Sequence, residues 1–368
     1  MVTTNQEPKV RLRSLDVLRG FDMFFIMGGD ALLLSLCWLY PGSFTDAVAA
    51  QLGHPAWHGF TAYDLIFPLF LFLAGVSFPF SFAKQVAAGC PLSDIRLRIV
   101  KRGLILVLLG VLYNGALHFD AEHFRLASVL GRIGLAWMAA ALLTTWLKRG
   151  ERWGVMAFLL LGYWALLCWV DAPDSDAGNF TMEGNIVSYI DRLLLPGVLH
   201  NGIHDPEGLL ATLPAVCTAM LGIEAGELVR QNKGVSSCLW MSGIGVFLIF
   251  IALAWDVVFP INKNLWTGSF VCITGGISLL LFALFHYVID ICNWRWGTNF
   301  FRVIGLNSIT IYLAQQFIDF RFTAEAIFGG TTAFFPQEWS YAIISFGYVM
   351  VCWSFLWFLH LKRIYLKV

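Results

Sequence analysis

Residues 61–82 read TAYDLIFPLFLFLAGVSFPFSF. The stretch holds one charged side chain, Asp64, close to its start. At about 1.5 Å per helical residue it is long enough to cross a hydrocarbon core of ~30 Å. Pro68 and Pro79 predict a kink or an end. Nine further segments have the same character, at roughly 15–40, 99–117, 127–147, 153–171, 207–228, 238–260, 267–290, 301–319 and 339–361. The segment 301–319 is short and carries Asn307, Gln315 and Gln316.

Composition points the same way. Apolar residues make up 58% of the 368 and charged residues 13%, against about 25% charged in soluble domains. Mean hydropathy is +0.71. Such a chain has too little polar material to cover itself in water. A soluble enzyme and a disordered chain are excluded, and a formal net charge of +0 also excludes a nucleic-acid binder. The 15 Trp and 32 Phe suit a lipid-facing surface with interfacial anchors. The expected fold is an all-α polytopic membrane protein of about ten transmembrane helices. It forms a single domain over 15–361, between a basic N-terminus (1–14) and a short tail (362–368). The first apolar run is too long for a signal-peptide core and no small-residue cleavage site follows it, so it reads as a retained span.

Loop charge sets orientation. With the N-terminus inside, the outer segments hold Arg125, Arg192, Lys263 and Arg321, while Arg19 and Arg132 fall within spans. The other 18 of the 24 basic residues are cytoplasmic, which predicts N-in and C-in. Two outside loops are long, about 41–60 and 172–206, and the second opens with Asp171, Asp174 and Asp176. Six of the eight histidines (His54, His58, His118, His123, His200 and His204) fall in outer segments; chance exposure of a polar residue explains part of this bias and a site facing outward explains the rest. The eight cysteines form no CxxC and read as apolar packing residues.

Charges inside spans need partners or function. SLDVLRGFDMFFIMGGD places Asp16, Arg19, Asp22 and Asp30 in the first span. Asp16 and Arg19 share a face and can pair; alternatively Arg19 meets a ligand phosphate. Gly28 and Gly29 permit close helix approach or a break before Asp30. In HPAWHGFTAYD, His54 and His58 are four apart, half of a metal site with no third ligand placed by spacing, so no metal is expected. Asp64 enters the membrane and needs a partner. Arg132 reads as an ion-pair partner or as a contact for a charged ligand. In HDPEGLLATLP, Asp205 suits an N-cap, Pro206 the first helical position and Glu207 the first turn. Asn307 and Ser308 need hydrogen-bond partners from another helix or a ligand.

Taken in order, RLRSLDVLRG, HPAWHGFTAYDLIFPLFLFLAGVS, DPEGLLATLPAVCTAMLGIEAG, INKNLW and GLNSITIYLAQ resemble the heparan-alpha-glucosaminide N-acetyltransferase family, within the transmembrane acyltransferases. The resemblance covers about 11–320 and is that of a bacterial member without the large extracytoplasmic N-terminal domain of the animal enzymes. It implies a multi-pass protein of a bacterial cytoplasmic membrane, with acetyl-CoA bound from the cytosol and a glucosamine-type acceptor on the far side. A homodimer is the family expectation. The catalytic histidine of the family matches His54, near the outer face. A family asparagine aligns with Asp30, so either His54 pairs with Asp30 or another group fills that role. At the position of His58 the animal form has asparagine, which makes His58 the weaker rival for the base.

Acetyl transfer to an amine needs a base, a polarised carbonyl and two reactants held together. His54 is the expected general base, or a covalent acetyl carrier, oriented by Asp30. Arg11, Arg13, Arg19, Lys101 and Arg102 are candidates for the CoA phosphates, although the positive-inside rule also explains them. Asp64, Arg132, Asp205, Glu207 and Asn307 are candidates for acceptor or carbonyl contacts. Two other readings stay open: a carrier of a sugar or ion using Asp16, Arg19, Asp64 and Arg132, and an O-acyltransferase acting on a glycan. The lack of internal repeats and of paired broken helices weakens the carrier.

Overall fold

The structure is a computed structural model that describes residues 12–116, 124–175, 177–231 and 234–366. Lys9, Arg11, His118, His123, Asp176, Lys233 and Lys367 lie outside the described residues. Among the described residues every regular element is helical, and extended pairing is confined to isolated bridges.

The first span is α1 (Arg13–Phe24), a π-helical turn (Phe25–Gly29) and α2 (Asp30–Leu39). It bends at Gly28, whose φ of 106° suits glycine. A Cβ there would also lie 2.8 Å from Tyr348 Cδ1. At this turn the Ile26 carbonyl accepts from Gln315 Nε2 at 3.4 Å. Both sequence readings of this glycine pair are met at Gly28, a local break and a close approach to the helix that carries Tyr348. Then follow α3 (Ser43–Gln51), α4 (Ile66–Ala87, entered through a 3₁₀ turn, Ala62–Leu65), α5 (Leu92–Tyr113), α6 (Val129–Trp146), α7 (Arg149–Trp169) and α8 (Ile186–Leu194). The remainder is α9 (Thr212–Gln231), α10 (Val235–Asp256), α11 (Gly268–Phe285), α12 (Thr298–Leu306), α13 (Ser308–Phe317), α14 (Phe320–Phe328) and α15 (Ser340–Leu361).

Among the described residues, 8 helical segments are long and apolar enough to cross a membrane. Two of the ten expected spans differ. α5 has the length, but its first half carries Asp94, Arg96, Arg98, Lys101 and Arg102. The expected 301–319 span is two short helices, α12 and α13, broken at Asn307 (φ −127°, ψ 31°). There the Asn307 side chain leaves the helix ladder: Nδ2 donates to the Ile364 carbonyl at 3.3 Å and Oδ1 accepts from Thr310 Oγ1 at 3.4 Å. The expected helix start at Asp205–Glu207 is also displaced. α9 begins at Thr212, because the Asp205 carboxylate is held by Arg125 and closes a turn on the Glu207 and His200 amides instead of capping.

α9 is the axis of the bundle, packed by α4, α6, α7 and α11; α10 lies on α11 and α5 on α6. Glycine sets the closest seam. A Cβ at Gly222 would lie 2.0 Å from the Phe72 carbonyl oxygen, and one at Gly75 would lie 2.2 Å from that of Ala219. This is the small-residue packing by which membrane helices bring backbones together. Phe72, Trp266, Phe270 and Phe282 fill the core around it. A second apolar cluster joins Met23 and Met27 of the first span to α12, α13 and α15.

Candidate active site

The loop from α3 to α4 folds back on itself and sets two candidate side chains together. The Thr61 hydroxyl lies 2.6 Å from the Gly53 carbonyl and 3.1 Å from Asp64 Oδ2, and the Thr61 amide donates to the same oxygen at 3.1 Å. This capping box fixes the Asp64 carboxylate at the head of the span. Its other oxygen meets His54 Nδ1 at 2.6 Å. Asp64 is fully buried, while the His54 side chain is 48% exposed.

A carboxylate only accepts, so Nδ1 carries the hydrogen, which leaves Nε2 as the ring nitrogen that can take up a proton. Lys263, between α10 and α11, stands 3.3 Å from Asp64 Oδ1, 3.3 Å from Nε2 and 3.4 Å from Nδ1. Near-equal distances to both ring nitrogens make it a point charge beside the ring. Burial pulls the Lys263 ammonium below its usual range, and Asp64 opposes this.

The expected His54–Asp30 pair is not formed. Asp30 Oδ2 instead accepts from the Tyr63 hydroxyl at 2.9 Å, and the Tyr63 ring packs 5.1 Å from that of His54. The carboxylate on His54 is Asp64, ten residues along the chain and so outside any helical spacing rule. Lys263 had one signal in the sequence, as the sole cation of INKNLW. His58 is spent elsewhere: Asn262 Nδ2 donates to its Nδ1 at 3.2 Å and to the Trp57 carbonyl at 2.9 Å. Burial pulls the His58 imidazole below its ordinary range. Among the described residues no group of three or more His, Cys, Asp and Glu is arranged to hold a metal ion.

A second polar layer adjoins the first. Arg125 grips both Asp205 oxygens, at 2.7 and 2.8 Å, and also bonds Glu207. Burial alone would raise the Asp205 carboxyl, but the Arg125 bonds outweigh it and hold it below the usual range. Glu207 also acts on Lys263 through space. Below lies Arg132, 1% exposed, stacked 5.1 Å over Trp266 and donating to the Gly208 carbonyl at 3.1 Å. Beside it burial pushes the Asp191 carboxyl up to about 7 and pulls the His204 imidazole down to about 4. His204 Nδ1 is 2.8 Å from Ser188 Oγ.

Of the five basic candidates for CoA, the four among the described residues are only partly gathered. Arg19 of α1 and Arg102 of α5 feel each other's charge, and Arg102 stacks 4.4 Å over Trp137. Arg13 is held by Thr298 and Asn299, and Lys101 is exposed. Asn307 is committed to the segment after α15, away from His54.

Residues 11–161 match a family model described as a domain of unknown function, DUF5009. Two curated relatives match most of the chain. The chain is similar to the heparan-alpha-glucosaminide N-acetyltransferases of mouse and human. It is 25% identical to the Mus musculus protein over 93% of this chain and 58% of the relative. It is 27% identical to the Homo sapiens protein over 83% of this chain and 53% of the relative. The chain thus spans a little over half the length of these relatives.

Proposed function

We propose that this chain is a transmembrane acetyltransferase, moving acetyl from cytosolic acetyl-CoA to the amine of an amino sugar on the far side of a bacterial cytoplasmic membrane. The observation that carries the reading is the buried Asp64 carboxylate on Nδ1 of the half-exposed His54 ring, with the Lys263 ammonium beside Nε2. A base oriented by a buried acid, with a cation beside its other nitrogen, is an arrangement that acyl transfer can use. The neutral amine attacks the thioester carbonyl as His54 Nε2 takes its proton. The C–N bond forms, the C–S bond breaks, and the proton goes on to the leaving thiolate. Lys263 supplies positive charge where the carbonyl oxygen becomes negative. The Glu207–Arg125–Asp205 layer, with Arg132 beneath, offers donors and acceptors for sugar hydroxyls. Arg19 and Arg102 stand nearer the basic end, where a CoA phosphate would rest.

The orientation is N-in and C-in. α4 and α9 both run from the His54 end toward an end carrying Lys84, Arg149, Arg152 and Arg230. Similarity to the acetyltransferases supports the reaction class, and the charge asymmetry supports the sidedness. The test is transfer from labelled acetyl-CoA to glucosamine by purified protein in detergent, wild type beside His54→Ala. Transfer that vanishes in a folded His54→Ala is the expected result. Transfer that persists there, or a wild type that neither binds CoA nor transfers acetyl, overturns the reading.

A further inference from the structure

Beneath the His54 layer lies a cavity of about 180 Å³. Its walls are apolar, with Phe21, Phe25, Leu69 and Leu281 among them, and Tyr63, whose ring packs against His54, also lines it. One carboxyl lines it. Asp22 is 2% exposed, and its Oδ2 has no hydrogen-bond partner among the described residues. Buried polar atoms are nearly always satisfied, so an orphan acceptor facing a void calls for an account.

We propose that Asp22 is a donor-binding residue: its carboxyl accepts a hydrogen bond from the inner amide N–H of the pantetheine arm of acetyl-CoA. The inference rests on the acetyl-CoA reading above. Pantetheine is a thin, largely apolar chain with two widely spaced amides, and it suits an apolar passage carrying a lone acceptor. The reach agrees. Asp22 is eight residues before Asp30, about 12 Å along the helix, and Asp30 is tied through Tyr63 to the His54 layer. Seven bonds separate the thioester sulfur from the inner amide nitrogen, roughly 8 Å when extended. With the sulfur a few ångströms short of His54, that amide arrives at the level of Asp22. Arg19, one turn further toward the basic end, and Arg102 beside it continue the path toward the phosphates.

The test uses the full chain in detergent and reads KM for acetyl-CoA together with inhibition by two fragments, pantetheine and adenosine 3′,5′-bisphosphate. Asp22→Ala should raise KM and the pantetheine inhibition constant about three- to tenfold, the worth of one hydrogen bond. The constant for the nucleotide fragment and kcat should stay within about twofold, and Asp22→Asn, which keeps an acceptor, should fall between. The melting temperature of unliganded Asp22→Ala should hold or rise, because an unsatisfied group is gone. Equal weakening of both fragments with a lower melting temperature would mark a structural residue and overturn the proposal, as would an unchanged KM. A wild type that binds no CoA and transfers no acetyl removes the functional reading and this inference with it. A wild type that transfers normally while Asp22→Ala is unaffected removes the role of Asp22 alone.

Discussion

At the residue scale the pairing of His54 with Asp64 decides which acid matters. Asp64→Asn keeps the cap on Thr61 but loses the charge that orients Nδ1–H. It should lower kcat about 10²- to 10⁴-fold with acetyl-CoA affinity retained. Asp30→Asn keeps an acceptor for the Tyr63 hydroxyl and should cost less than about tenfold. Steady-state kinetics on the two variants separates the acids, and an equal loss in both would remove Asp64 from its role. Asp191 offers a pH signature. Its folded pKa of about 7 lies above the ordinary 3.8, so the folded state holds the proton longer than the unfolded chain. Stability therefore falls as pH rises between those values and levels off above 7. His204, depressed to about 4, acts oppositely in an overlapping window, so the measurement is a difference. The melting-temperature advantage of Asp191→Asn over wild type should grow from about pH 4 to about pH 7 and then stay flat. An advantage independent of pH would refute the burial account.

At the scale of elements, the α4–α9 seam holds the floor beneath the site. Gly222→Ala puts a methyl where the Phe72 carbonyl already sits, and neither backbone can give way without parting the helices. A loss of about 1–3 kcal/mol or more is expected, read as a lower melting temperature in detergent. Gly243, with open space around its Cβ position, is the control and should accept Ala with little change. Periodicity and apolar length made the spans legible in advance. The break at Asn307 was not legible, since a lone Asn in an apolar run reads equally well as an interhelical hydrogen bond. At the break the Asn307 side chain bonds a carbonyl at Ile364, 57 residues away, a partner that no local pattern names. The late start of α9 was hidden for the same reason, because a sequence that suits a cap cannot show that Arg125, 80 residues distant, has claimed Asp205.

At the scale of the whole molecule, the charge asymmetry yields a sidedness test. In cells carrying single-cysteine variants, a membrane-impermeant maleimide should label Ser175→Cys, in the loop after α7, without permeabilisation. Cys292, exposed beyond α11, should be labelled only after permeabilisation. The reverse pattern would place His54 at the cytoplasmic face and remove the transmembrane step of the proposed reaction.

Bilayer physics is local along the chain, and so much of this protein could be read from one dimension. Apolar length, loop charge and the order of motifs determined a polytopic helical protein, its expected sidedness and His54 as the residue to watch. Three things were left to the tertiary structure: the acid on His54, the Lys263 ammonium beside it, and the orphan Asp22 over a cavity. Each depends on segments that meet only after the spans pack. Lys263 reaches a loop 209 residues away, and whether Asp22 finds a partner is set by which helices surround it. Hydrophobic burial is written residue by residue, whereas the pairing of a few buried polar atoms is a property of the assembled bundle.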